Sequence, residues 1–132
     1  EFGRERIFHG VNVVYKGFPW HPDVNEFNAY TSFAEKDLEQ LESWGLNIVR
    51  LGVMWPGVEP TRGQYNQTYL QVMKKLVDDM ASHGIYTLVD FHQDLLSQKY
   101  CGEGVPDWAA VSRPGAFKFP EPVDVAYPIN NA

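Results

Sequence analysis

The stretch GIYTLVDFHQD, Gly84–Asp94, decides the fold of this chain. Its apolar, β-rich part, Ile85–Val89, runs directly into titratable residues instead of turn residues. Because strand side chains alternate between faces, Asp90 and His92 lie on the same face. An acid and a histidine at the carboxyl end of an apolar strand are typical of the functional edge of an α/β sheet. The same pair can also cap local backbone groups, so this stretch by itself leaves both interpretations open.

Composition indicates a globular protein and argues against two classes of function. The chain has 132 residues, of which 44% are hydrophobic and 21% charged, enough for one domain with a core. The net charge is −6 and no run of Lys or Arg could follow a phosphate backbone, so we expect no nucleic-acid partner. No apolar run is long enough to span a membrane, so we expect no transmembrane segment. The opening residues lack a signal-peptide core, which leaves open a removed signal or none.

A strand–helix pattern repeats along the chain up to this stretch. Apolar runs and helical periodicity predict, in chain order, a strand at 6–15, a helix at 33–44, a strand at 46–51, a helix at 67–83 and a strand at 85–91. Such strands separated by helices indicate a parallel sheet covered on both sides. Single glycines link helix to strand, whereas the strand-to-helix loops are long. The functional side is therefore expected at the carboxyl ends of the strands.

Capping residues and apolar stripes define the two predicted helices. Ser32–Glu35 has the form of a capping box, and Asn66 is a plausible N-cap for the second helix. Gly45 and Gly84 supply the left-handed conformation that ends each helix. The predicted stripes are Phe33, Leu38, Leu41 and Trp44 in the first helix, and Leu70, Met73, Leu76, Val77 and Met80 in the second.

Polar side chains recur toward the carboxyl ends of the predicted strands. Lys16 follows the first strand, Arg50 lies on the second, and Asp90 and His92 end the third. An arginine on a buried strand is costly unless it is paired, and Asp90 on a neighbouring strand would be within reach. The pair can be a structural ion pair or part of a polar cluster at the mouth of a barrel. The coincidence across three strands favours the cluster.

Other chemically active residues carry weaker signals. Glu59, Glu103 and Asp107 lie in loops, where most acids are solvated. Cys101 has no cysteine partner and no obvious base beside it, so we expect neither a disulfide nor a nucleophile there. The Asp-x-His pair lacks a second histidine at ligand spacing, so we predict no metal and no cofactor. The glycosylation sequon at Asn66 has meaning only if the protein is secreted.

Four segments resemble one enzyme family. HGVNVVYKG (9–17), WGLNIVRLGVMWPGVEPTRGQYN (44–66), GIYTLVDFHQD (84–94) and YCGEGVPDWA (100–109) are similar, in collinear order, to endoglycoceramidases of glycoside hydrolase family 5. The resemblance covers residues 3 to about 110. It implies an α/β fold of the (β/α)₈ TIM-barrel type. Residues 1–132 would form the N-terminal, incomplete part of the catalytic domain, with only the first three βα units.

The resemblance implies a retaining β-glycosidase that hydrolyses O-glycosyl bonds, above all the glycan–ceramide linkage of glycosphingolipids. Its acid/base and nucleophile glutamates end strands four and seven in that family, so we expect both to lie beyond Ala132 and the fragment alone to be inactive. Alternatives are another family 5 β-glycosidase, such as a glucosylceramidase or β-glucanase, and a truncated, non-catalytic sugar-binding protein. The expected location is secreted or lumenal (extracellular or lysosomal), with membrane-surface contact through the lipid substrate.

The same resemblance assigns roles to individual residues. It implies that Arg50 and His92 support catalysis, with Arg50 orienting the nucleophile. Two tryptophans, Trp55 and Trp108, either line the cleft or pack in the core. The full set of residues expected to bind substrate is Lys16, Asp90, His92, Asp94, Trp55 and Trp108.

Overall fold

Three parallel strands form the sheet. The structure of the protein, a computed structural model, describes residues 3–116. Its elements in chain order are β1 (Gly10–Val13), α1 (Glu35–Ser43), β2 (Ile48–Met54), α2 (Trp55–Val58), α3 (Gln67–Ser82), β3 (Tyr86–His92) and a 3₁₀ turn (Gln98–Tyr100). Strand β2 lies in the middle and pairs in parallel with β1 on one side and β3 on the other. The predicted parallel sheet is confirmed.

The first two strands differ in length from the prediction. Strand β1 is shorter, because the Asn47 side chain takes up the backbone groups of Ile7 and His9 that a longer ladder would pair. The sequence predicts a loop at 52–64, but strand β2 continues through Gly52 to Met54, and the short helix α2 (Trp55–Val58) follows it directly. The strand continues because β3 pairs with it residue by residue as far as Met54 and His92. The extra length carries β2 to the same edge as the end of β3.

Helix α1 begins two residues later than its predicted capping box implies. Its N-cap is Ala34, and the Asp37 carboxylate, not Glu35, accepts hydrogen bonds from the Ala34 amide and the Ser32 hydroxyl, each at 2.8 Å. Trp44 lies after the helix and is 67% exposed, so its predicted place in the apolar stripe is wrong. Helix α3 has the predicted N-cap: the Asn66 side chain accepts from the Tyr69 amide.

The core lies between β2 and helices α1 and α3. Its buried side chains include Val49 and Leu51 from β2 together with Leu38, Met73, Leu76 and Met80 from the helices. Tyr69, which the predicted stripe omitted, is also buried, and its hydroxyl accepts a hydrogen bond from the Met54 amide at 2.9 Å. Because that bond reaches the end of β2, it holds the carboxyl edge of the sheet against α3.

Strand β3 is exposed on both faces over residues 3–116. On one face Leu88 is 54% exposed, and on the other Val89 and Phe91 are 59% and 67% exposed. The prediction of a sheet covered on both sides is therefore not met at this edge, since apolar side chains on both faces of β3 reach solvent. None of the helices within the described range has the length and apolar character needed to cross a membrane.

Candidate active site

An ion pair joins the two longer strands at their carboxyl ends. The Arg50 guanidinium (Nη2) lies 2.8 Å from the Asp90 carboxylate, and both side chains are at least partly shielded from solvent. Asp90 pairs in register with Gly52, two residues after Arg50 on the same face of β2. The arginine therefore reaches along the strand, toward the carboxyl edge, to meet Asp90. The proximity predicted from strand alternation is confirmed.

His92 extends this pair by one step. Its Nδ1 lies 2.8 Å from the same Asp90 oxygen, and its side chain is 13% exposed. Its Nε2 is buried and has no hydrogen-bond partner among the described residues. With Nδ1–H donating to the carboxylate, Nε2 is left as an acceptor that a ligand hydroxyl could satisfy.

Lys16 lies between two carboxylates. Its ammonium is 2.8 Å from Asp94 and 2.6 Å from Glu103. Hydrogen bonds to Asp94 first, and then to Glu103, raise the pKa of Lys16, while the Lys16 ammonium lowers the pKa of Asp94. Glu103 is buried, so the expectation that it is a solvated loop acid is wrong. Sequence reasoning missed this residue, and the signal that could have found it is the pair of glycines that flank it in Cys-Gly-Glu-Gly, since both are closely packed in the structure.

The segment after β3 folds back on itself to place Glu103. Asp94 and Glu103 exchange two backbone hydrogen bonds of 2.7 Å as an antiparallel bridge. At Gly102 a side chain would collide with the Leu95 and Asp94 carbonyls, so only glycine fits between the two arms. Cys101 turns the chain in the left-handed conformation. This loop begins where β3 ends, and so carries its acids to the same edge as Asp90.

The two candidate tryptophans contact each other. The rings of Trp55 and Trp108 meet edge-to-face at 5.6 Å, and their indole N–H groups donate to the side chain and the backbone carbonyl of Glu59. The Gly63 amide, and then the Trp55 indole, lower the pKa of Glu59. The ring centroid of Trp55 also lies 6.1 Å from that of Phe91, and the Phe91 side chain is on the face of β3 opposite to Asp90. This geometry favours the packing interpretation; sugar contact by either ring stays a prediction.

The structure therefore brings together two groups at one edge: the chain Arg50–Asp90–His92, and Lys16 with Asp94 and Glu103. Ligand atoms of His92, Asp94 and Glu103 lie within 4.8 Å of one another, a spacing that could suit a metal ion. The Lys16 ammonium already provides a positive charge to both carboxylates. The arrangement is suited to holding neutral hydroxyl groups between charged donors and acceptors.

A family model described as "Cellulase (glycosyl hydrolase family 5)" matches residues 8–120. An endoglycoceramidase from Cyanea nozakii is 52% identical over 97% of this chain and 25% of its own length. Another from Hydra vulgaris is 52% identical over 92% of this chain and 23% of its own. A glucosylceramidase from Cryptococcus neoformans var. grubii is 38% identical over 57% of this chain and 10% of its own. The chain thus spans about a quarter, or less, of these relatives.

Solved structures of endo-glycoceramidases are also similar to this chain. Endo-glycoceramidase II from Rhodococcus sp., bound to a five-membered iminocyclitol, superposes with a TM-score of 0.69 at 32% identity, over 83% of this chain and 24% of that one. The same bacterial enzyme in a ganglioside GM3 complex superposes with a TM-score of 0.57 at 32% identity, over 61% of this chain and 21% of that one. The chain belongs to glycosyl hydrolase family 5, and its three parallel strands with the helices between them form the N-terminal part of that family's (β/α)₈ barrel.

Proposed function

We propose that the protein carrying this chain is a retaining β-glycosidase that hydrolyses the glycan–ceramide linkage of glycosphingolipids. The observation that carries the proposal is the Arg50–Asp90–His92 chain at the carboxyl edge, where a (β/α)₈ barrel performs its chemistry. The similarity to endoglycoceramidases supports the choice of bond. This chain supplies the sugar-binding half of the site, and the two catalytic glutamates come from strands four and seven.

Each residue has a role in this proposal that suits its contacts. Arg50 faces the nucleophilic carboxylate and keeps it ionised, since an adjacent cation lowers a carboxylate pKa. Asp90 holds Arg50 in place and accepts a hydrogen bond from one sugar hydroxyl. His92 Nε2 accepts a hydrogen bond from another. Lys16 and Asp94 bind hydroxyls at the side of the ring. Such hydrogen bonds strengthen as the ring flattens toward the oxocarbenium-like transition state.

A second candidate is a glucosylceramidase, which releases a single glucose. It is favoured by the 38% identity to the glucosylceramidase of Cryptococcus neoformans var. grubii. A third candidate, from a different class, is a sugar-binding protein without hydrolytic activity. All three share the sugar-binding residues of this chain and differ in what the rest of the protein adds.

The proposed location is secreted or lumenal, with the enzyme working at a membrane surface that presents its lipid substrate. The exposed Leu95 and Leu96 at the rim next to Asp94 support this proposal, and the exposed sequon at Asn66 offers a way to test it. The test is expression in secretory cells followed by N-glycosidase treatment. A band that shifts in the parent and not in Asn66→Gln supports the location, and the absence of a shift contradicts glycosylation at this site.

The activity is tested with the full-length protein and two substrates, a ganglioside with a fluorescent ceramide and fluorescent glucosylceramide. Release of the intact glycan from the ganglioside supports the proposal. Turnover of glucosylceramide alone identifies the second candidate, and binding of both without turnover identifies the third. An Arg50→Lys variant prepared in parallel excludes a contaminating hydrolase, since it keeps the charge and loses the planar geometry.

A further inference from the structure

Glu103 has no role in the proposed function, yet it is the one buried charged residue in the 3–116 range. A carboxylate taken out of water is costly unless a cation and hydrogen bonds compensate it. Here the compensation comes from Lys16, whose ammonium lies 2.6 Å from the Glu103 carboxylate. The lysine reaches this acid from the loop after β1, so the contact joins two separate loops of the site.

The two carboxylates on Lys16 differ in their access to solvent. The Asp94 side chain is 52% exposed, whereas that of Glu103 is 10% exposed. An exposed carboxylate can exchange the ammonium for water or a sugar hydroxyl at little cost. A buried one cannot, because it would be left unpaired. The Lys16–Glu103 contact is therefore the permanent one, and the Lys16–Asp94 contact is the exchangeable one.

The loop holds the Glu103 carboxylate at a defined distance from Asp94. The antiparallel backbone bridge between the two residues fixes their main chains. Gly102 and Gly104 are packed so closely that an added Cβ at either would meet a backbone carbonyl of the opposite arm. A buried acid on such a rigid support can determine where a flexible lysine side chain places its ammonium.

We propose that Glu103 is a positioning residue: it is the fixed counter-ion that holds the Lys16 ammonium in the sugar site and leaves Asp94 free to accept a substrate hydroxyl. This inference rests on the proposed function for its effect on catalysis. The groups that face Lys16 are Asp94, Glu103 and, beside them, His92. Glu103 acts through Lys16 and does not itself touch the sugar.

The test uses the full-length enzyme with Glu103→Gln, which keeps the shape and removes the charge. The expected result is a fall in kcat/KM of roughly ten- to hundredfold, mostly as a higher KM, since a charge-assisted contact that orders a binding group is lost. Asp107→Asn is the matched control: it neutralises another acid of the same loop and can still accept from the Lys99 amide. Its kcat/KM should stay unchanged.

A double-mutant cycle separates positioning from loop stability. If Glu103 acts through Lys16, Glu103→Gln in a Lys16→Met background lowers kcat/KM by less than about twofold further. Two results overturn this proposal and leave the proposed function intact. One is a further fall in kcat/KM in the Lys16→Met background as large as that in the parent. The other is a Glu103→Gln enzyme as active as the parent. Thermal unfolding of each variant confirms that the rates belong to folded protein.

A second readout does not depend on activity. Peptide mapping after brief acetylation measures how fast Lys16 reacts, and only the neutral amine reacts. Removing the adjacent charge should lower the Lys16 pKa and make acetylation roughly three- to tenfold faster in Glu103→Gln than in the parent. An unchanged rate overturns the proposal, even if the parent cleaves no β-glycoside and the proposed function fails.

Discussion

Asp90 accepts hydrogen bonds from two side chains at once. This double contact determines how activity and stability should respond when Asp90 is mutated. Arg50 and His92 both lie 2.8 Å from the same carboxylate oxygen. A purely structural ion pair would matter for folding, whereas a binding group would matter for rate. The Arg50 side chain is 41% exposed, so solvent screens its charge and reduces what the pair contributes to stability.

We therefore predict that Asp90→Ala lowers kcat/KM in the full-length enzyme, with a loss of transition-state stabilisation on the order of 2–4 kcal/mol. The free energy of unfolding should fall by less than this. Rates per active site, measured beside thermal unfolding curves, check this. Asp90→Asn serves as the isosteric comparison. An unfolded variant whose remaining folded fraction has normal activity would show that the pair is structural, and a fully active variant would remove Asp90 from the site.

At the scale of single elements, the pairing of β1 with β2 depends on the absence of a side chain. A Cβ at Gly10 would overlap the Ile48 carbonyl oxygen, and neither backbone can move aside independently. A Cβ added at Gly17, which follows the same strand, would meet no atom within 4 Å, and the φ of Gly17 is not positive. The two glycines therefore form a matched pair for comparison.

We predict that Gly10→Ala lowers the free energy of unfolding by about 1–3 kcal/mol, the usual cost of forcing extra atoms into a packed site. Gly17→Ala should change it by less than about 0.5 kcal/mol, as an open surface position does. Chemical denaturation of the two variants in the full-length protein measures both. Equal midpoints for the pair would contradict the tight approach of the strands.

The end of α3 is joined to α1 by a histidine that responds to pH. The two ring nitrogens of His83 lie 2.8 Å from Glu42 and 3.0 Å from Glu35. The hydrogen bond to Glu42, and then that to Glu35, raise the pKa of His83 in the folded state. Since the folded state binds the proton more tightly, the added stability is fully present below the unfolded pKa of about 6.5. It is lost as the pH rises through the higher folded value.

We predict that His83→Gln, which can hydrogen-bond but carries no charge, lowers the unfolding temperature most near pH 6, where the histidine is protonated. The difference from the parent should shrink steadily as the pH rises above the folded pKa of His83. Unfolding curves of both proteins across this range check the sign. A difference that is constant with pH would mean that the charge of His83 plays no part.

At the scale of the whole molecule, the described part of this chain holds three parallel strands, and in the proposed function it contributes only the sugar-binding half of the site. We predict that the isolated 132-residue chain does not hydrolyse glycosphingolipids. The two-step reaction needs an acid/base and a nucleophile, and we expect both glutamates on strands four and seven, outside this chain. Incubation with a fluorescent ganglioside tests this. Turnover that survives removal of contaminating enzymes and disappears in Asp90→Ala or His92→Ala would refute it.

We also predict that the isolated chain associates with itself or unfolds without a sharp transition. In the described residues β1 and β3 each pair on one side with β2, and β3 exposes Leu88, Val89 and Phe91. Unpaired edges with apolar side chains favour strand-to-strand association. Sedimentation velocity and thermal unfolding measure it, and Phe91→Lys should reduce association. A monomer with a cooperative transition well above room temperature would contradict the prediction.

The sequence by itself determined the order of the three strands and the two long helices, and the meeting of Arg50 with Asp90. Both follow from local rules: alternation decides which strand residues share a face, and parallel strands bring their carboxyl ends to one edge. The cap at Asn66 and the left-handed Gly45 and Gly84 are also local, since each depends on the backbone within one helical turn. Such features need no knowledge of distant residues.

Only the tertiary structure decided the partners of Lys16, the extension of β2 to Met54 and the contact between Trp55 and Trp108. Lys16 and Asp94 are 78 positions apart, and no periodicity links residues at that separation. Which acid is buried depends on how the loop after β3 closes, and that closure depends on backbone contacts at Gly102 and Gly104. Glu103 therefore becomes the counter-ion of Lys16 through packing, because burial is a property of the assembled loops and not of the residues taken one at a time.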